Sequence, residues 1–118
     1  MCNVTRRELF GGAAALAMLE AGETRAAPTP EVNKVDQVSD GVYFHEGDIV
    51  KSGHCNNGWV VFEDYVLVID ANFPSGAEEI IPKIRALTPK PIRFAFDTHH
   101  HGDHAYGNQV WVDHGAVP

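Results

Sequence analysis

One hexapeptide restricts this chain more than any other stretch. His99-His100-His101-Gly102-Asp103-His104 contains four of the seven histidines. It follows, after Asp97 and Thr98, on Ile92-Arg93-Phe94-Ala95-Phe96, whose alternation of apolar with polar or small residues predicts a β-strand. On extended backbone His99 and His101 point to the same side and His100 to the other. Gly102 permits a sharp turn, and Asp103 and His104 then open a short helical turn, where an anionic side chain is electrostatically favoured. Two imidazoles on one side of a bend thus face a carboxylate and a third imidazole on the other. Mixed histidine and carboxylate donors suit zinc, and a catalytic zinc keeps one position open. The alternative is a solvated polar loop that binds nothing. The preceding strand and the His-x-His spacing with Asp-His two residues on favour the metal.

The segments before the cluster predict an α/β arrangement. Gly41 to His45 begins a strand-like region, and Gly58 to Phe62 and Val66 to Asp70 form two apolar runs around the polar turn Glu63-Asp64-Tyr65, a β-hairpin. The second run is apolar up to Asp70, which predicts burial on both faces. Ser75 and Glu78 have capping-box spacing, and Ile80, Ile81, Ile84 and Leu87 give the following helix one apolar face. Pro82 lies inside it and is expected to kink it, and Thr88-Pro89-Lys90-Pro91 ends it. Trp59 and Phe62 are expected in the core, and His45 and His54 in structural roles. Cys55-Asn56-Asn57-Gly58 reads as a turn. After the cluster, Gln109-Val110-Trp111-Val112 looks like the start of a further element.

Residues 1–26 differ from the rest. Arg6 and Arg7 precede an apolar stretch from Leu9 to Leu19, the order of regions found in a bacterial export signal of the twin-arginine type. Eleven apolar residues are too few to span a bilayer. Cleavage is expected after Ala26, with a periplasmic product and no lasting membrane association. Residues 27–36 read as a Pro-containing linker and 37–118 as the folded part. Removing 26 residues from 118 leaves 92, enough for a small core of marginal stability. Only Cys55 would remain of the two cysteines, so no internal disulfide is expected. A net charge of −7 without a basic stripe argues against nucleic acid and anionic membranes, and leaves a small-molecule substrate.

The run from Thr98 to His104 resembles the H-x-H-x-D-H signature of the metallo-β-lactamase superfamily. The hairpin ending in Asp70 and the Gly107-Asn108 pair also sit where that family has them. The resemblance covers residues 37–118 and implies the first half of an αββα sandwich. It implies that His99 and His101 bind one metal and Asp103 and His104 a second, up to two zinc ions in a complete domain. Histidine at 101, where the flavodiiron relatives carry glutamate, favours zinc over iron. Asp70 would orient the site; a polar strand end is the other reading. The implied chemistry is hydrolysis of a β-lactam, thioester or other ester by a metal-bound hydroxide, with Asp103 orienting it. The family's second half supplies further ligands, and His114 reads as a surface residue. The 118 residues are therefore expected to hold an incomplete site with little activity alone. A different class of function, a non-catalytic zinc-binding module, stays open beside the hydrolase.

Overall fold

Two kinds of strand pairing meet at one strand in the computed structural model, which describes residues 28–118. Strands β1 (Val35–Ser39), β2 (Val42–His45), β3 (Asn57–Val61) and β4 (Val66–Ile69) pair antiparallel in sequence order. Helix α1 (Pro74–Leu87) then carries the chain across, so that β5 (Ile92–Phe96) pairs parallel to β4. Two short helices follow, α2 (Gly102–Ala105) and α3 (Asn108–Asp113). The mixed sheet with crossover helix is the expected α/β arrangement. The expected export signal lies outside the described residues, and no helix among those described is long and apolar enough to cross a membrane.

One face of the sheet builds the core. Trp59, Val66, Val68 and Ala95 pack against Ala77, Ile80, Ile81 and Ile84 of α1 and against Trp111 of α3. The helix residues recur at the three- and four-residue spacing that puts them on one stripe. Each fully buried isoleucine contributes about 1.5–3 kcal/mol relative to an exposed one. Trp111 also donates its indole N–H to the carbonyl of Ala71 at 2.9 Å, which pins α3 to the loop after β4.

Several expectations need correction. Strand β1 starts at Val35, inside the stretch assigned to a linker, because its backbone pairs with β2 although its side chains are mostly exposed. Helix α1 has no side-chain cap: Pro74 opens it, at a position where no N–H is needed, and Ser75 already lies within the first turn. The helix runs through Pro82 to Leu87. Pro82 is on the exposed side, where the carbonyl it leaves unpaired can meet water. Leu87 (48% exposed) and Phe62 (42%) are not core residues. Leu87 lies in the last turn of α1, and Phe62 stacks on Tyr65 beside the hairpin. Nor is β4 buried on both faces. Val66 and Val68 are buried, whereas Leu67 and Ile69 are half-buried and share the opposite face with Phe94 and Phe96. Among the described residues no helix covers that face, which with Val117 forms an open apolar groove of about 420 Å³.

His45, at the end of β2, is 1% exposed and neither ring nitrogen has a hydrogen-bond partner. Burial lowers its pKa, Lys83 and His54 add to the effect, and Glu79 opposes it. The unfolded chain therefore takes up a proton at His45 before the folded one does, so stability falls as pH drops below about 6.5, by at most ~1.4 kcal/mol per pH unit. Urea titrations between pH 7 and pH 5 are expected to show this slope, and His45→Phe to flatten it.

Candidate metal centre

The site begins with a strained turn at the end of β4. Asp70 and Asn72 both adopt left-handed backbone conformations, with φ of 67° and 65°. Aspartate and asparagine tolerate this region better than other non-glycine residues. Parallel pairing places the ends of β4 and β5 side by side, with Ile69 opposite Phe96, so the turn brings the Asp70 carboxylate against the residues that follow β5.

Three groups converge on that carboxylate. Oδ1 accepts from the Thr98 N–H at 2.9 Å and from the Thr98 hydroxyl at 2.7 Å. Having donated its only proton, Thr98 Oγ1 must accept from His99 Nδ1, 3.0 Å away. That sets the tautomer of His99 and leaves a lone pair on Nε2, which lies 3.1 Å from His101 Nδ1. Oδ2 of Asp70 lies 3.0 Å from His104 Nδ1. This contact has the distance of an ion pair but misses hydrogen-bond alignment, and His104 Nδ1 finds no aligned partner. On its far side, His104 Nε2 is 3.3 Å from Asp103 Oδ2.

The result is a compact donor set. Asp70, His99 and His104 each offer one ligand atom, all within 4.8 Å of one another. The rings of His99 and His104 are 4.1 Å apart, those of His99 and His101 4.7 Å. Asp70 is buried, Asp103 and His104 are half-buried, and His99 and His101 are exposed, so the set is anchored from below and open to solvent above. His100 is exposed, with its ring 5.0 Å from that of His101. His114 is exposed at the end of α3. Burial works to raise the Asp70 carboxyl, but the two bonds from Thr98 and the neighbouring His104 hold it below its ordinary value. It is therefore an anion at neutral pH. Burial, together with the charges of Asp70 and Asp103, pushes the nearby Cys55 thiol up to about 12, so in the metal-free chain it is a protonated thiol at neutral pH. Two or three imidazoles with one or two carboxylates, no cysteine in the converging group and an open side match the donor chemistry of a zinc site of the catalytic kind.

Several supporting residues carried no chemical signature in the sequence. Thr98 is a neutral residue between strand and cluster, yet it links Asp70 to His99. Asn72 is fully buried: it donates to the Cys55 carbonyl at 3.1 Å and to Asn57 Oδ1 at 2.7 Å, and accepts from the Phe73 N–H at 2.8 Å. Asn57 in turn donates to the carbonyl of Asp70. Asp97 accepts from Ala71 N–H and from Asn108, which ties the start of α3 to the end of β5. The Asp-x-Asn pattern after a strand is a turn signal that could have drawn attention to this loop.

A family model described as the metallo-β-lactamase superfamily matches residues 50–118. Similar solved structures include TMB-1 (21% identity, TM-score 0.55, covering 71% of this chain and 40% of that one). A metallo-β-lactamase from Hirschia baltica is 23% identical, with a TM-score of 0.61, over 73% of this chain and 42% of its own. FIM-1 from Pseudomonas aeruginosa, in a mono-zinc form, is 23% identical, with a TM-score of 0.60, over 76% of this chain and 42% of its own. The chain thus spans 40–42% of the length of these structures. No curated protein matches the sequence significantly.

Gly107 tests how the site loop is seated. Its N–H donates to the Asn72 carbonyl at 2.6 Å. A Cβ there would lie 2.3 Å from the carbonyl oxygen of Ala71, inside the contact limit. Gly107→Ala is expected to lower stability by about 1–3 kcal/mol or more, measured by urea unfolding, because backbone on both sides must move.

Proposed function

This chain belongs to the metallo-β-lactamase superfamily, and we propose on that premise that it supplies ligands to the zinc centre of a hydrolase acting on a β-lactam, thioester or other ester. The superfamily's members are metal-dependent hydrolases. The observation that carries the proposal for this chain is the convergence of Asp70, His99 and His104 within 4.8 Å, with His101 and Asp103 alongside. Zinc bound there supplies a Lewis acid that polarises the scissile carbonyl and acidifies water.

The chain's own residues take the following parts. By the family resemblance His99 and His101 would hold one metal and Asp103 and His104 a second, with Asp70 beside His99 and His104 in the convergent group. Thr98 keeps the proton of His99 on Nδ1, so that Nε2 is free to ligate. Asp70 holds Thr98 and His104 in place from below and keeps its charge at neutral pH. Asp103, on the more open side, orients the attacking water and accepts its proton. Tyr106, 69% exposed and packed against Gly102, offers an apolar surface for the uncharged part of a substrate. The acidic charge of the chain disfavours nucleic acid as that substrate. The arginine pair at Arg6 and Arg7 supports export to the periplasm as part of the same reading.

Zinc titration followed by isothermal calorimetry tests the ligand set. Uptake is expected, with affinity reduced at least about tenfold by His99→Ala or His104→Ala and about 10–100-fold by Asp70→Asn. Zinc uptake indifferent to all of these substitutions would exclude this site. Zinc-dependent turnover of a chromogenic β-lactam or a thioester separates the hydrolase from a non-catalytic zinc-binding module, which would bind the metal and turn over neither. For export, replacing Arg6 and Arg7 by lysine is expected to keep the protein out of the periplasm, measured by cell fractionation.

A further inference from the structure

A second polar constellation lies at the start of α1, built from residues the metal centre does not use. We propose that Ser75, His54 and Glu79 form a metal-independent acyl-transfer triad that attacks small, activated carboxylic esters. The side chain of His54, from the loop between β2 and β3, lies between two residues of the helix. Its Nε2 is 2.9 Å from Ser75 Oγ, and its Nδ1 is 3.4 Å from Glu79 Oε2. Ser75 and Glu79 are four residues apart on α1, so their side chains stand on the same face and can flank one imidazole. The Glu79 carboxylate stands at ion-pair distance from Nδ1 without hydrogen-bond alignment, and the tautomer protonated on Nδ1 is the one that presents the Nε2 lone pair to the serine hydroxyl.

Burial divides the three as catalysis requires. Ser75 is exposed and open to a substrate, while the base His54 is 6% exposed and shielded from bulk water. Ser75 makes no helix cap, so its hydroxyl is not explained by helix termination. The first helical bond runs from Ala77 N–H to the Phe73 carbonyl, so the N–H groups of Ser75 and Gly76 precede it and have no partner within the helix. Of the two, Gly76 is buried and Ser75 exposed, so it is the Ser75 N–H, at the positive end of a 14-residue helix, that would face a tetrahedral oxyanion.

Ser75 Oγ bonds to the ester carbonyl carbon as its proton passes to His54 Nε2. The carbon–oxygen bond to the alcohol then breaks, and the alcohol leaves with that proton. Water attacks the acyl-serine, giving one proton to Nε2 and restoring the hydroxyl of Ser75 with it. The sum is ester plus water to carboxylic acid plus alcohol.

The test uses the full chain in EDTA, which removes any zinc-dependent hydrolysis, with p-nitrophenyl acetate and an alkyl fluorophosphonate as probes. A burst of nitrophenolate and a single covalent adduct on Ser75, located by peptide mass spectrometry, are expected. Ser75→Ala should abolish both, His54→Ala should slow labelling about 100-fold or more, and Glu79→Gln about tenfold, with circular dichroism confirming that each variant is folded. No adduct on the folded chain, an adduct elsewhere, or labelling unchanged in Ser75→Ala would overturn the proposal.

Discussion

The carboxylate of Asp70 is the fixed point of this structure. Its two oxygens meet Thr98, two residues beyond β5, and the histidine of α2, and its own carbonyl accepts from Asn57 of β3. One residue thus joins three elements. It does so from a backbone conformation that costs about 1–2 kcal/mol for an ordinary side chain. The hydrogen bonds gathered there repay that cost, because they are made to a charge and replace the water it has lost. The same bonds set a pH limit. With its folded pKa below the unfolded value near 3.9, Asp70 contributes its full stabilisation above that value and loses it as pH falls through the folded one.

Sequence pattern exposed the parts of the fold that are periodic and local. The hairpin of β3 and β4, the isoleucine stripe of α1, strand β5 and the histidine cluster all follow from alternation, helical spacing or side-chain chemistry. Strand β1 escaped because Val35-Asp36-Gln37-Val38-Ser39 is an edge with little buried side-chain surface, and its pairing is written in the backbone. Ser75 departs from the expected cap for a different reason: its hydroxyl meets the ring of His54, 21 residues earlier, a contact no local pattern announces. Thr98, Asn57 and Asn72 matter to the site through hydrogen bonds across the sheet rather than through any reactive group. Long-range polar contacts are what local periodicity does not encode.

The two polar constellations share one short segment. Asp70 serves the metal centre and Ser75 the start of α1, and between them lies Asn72, fully buried with its side-chain amide fully engaged. Asn72 tethers the loop carrying Cys55 to the turn that aims Asp70, while His54, the residue before Cys55, meets Ser75. A side chain with no titratable group therefore holds both neighbourhoods in register. The close approach of Gly76 to it, where a Cβ would lie 2.4 Å from its carboxamide carbon, shows how little slack the segment has.

The parallel pairing of β4 with β5 has a consequence for the order of assembly. Strands β1 to β4 are an antiparallel meander whose β1–β2 and β3–β4 connections are short and close at little cost in chain entropy, while residues 46–56 form a longer loop between β2 and β3. Pairing β5 with β4 closes a longer stretch of chain, since Val66 and its partner Ile92 are 26 residues apart (92 minus 66), and so costs more chain entropy than the hairpin contacts. Until β5 joins, Asp70 has neither Thr98 nor His104 beside it, and His99 lacks the relay that sets its tautomer. The donor set is consequently complete only when the parallel pair is in place, so whatever loosens β5 from β4 also disperses the site.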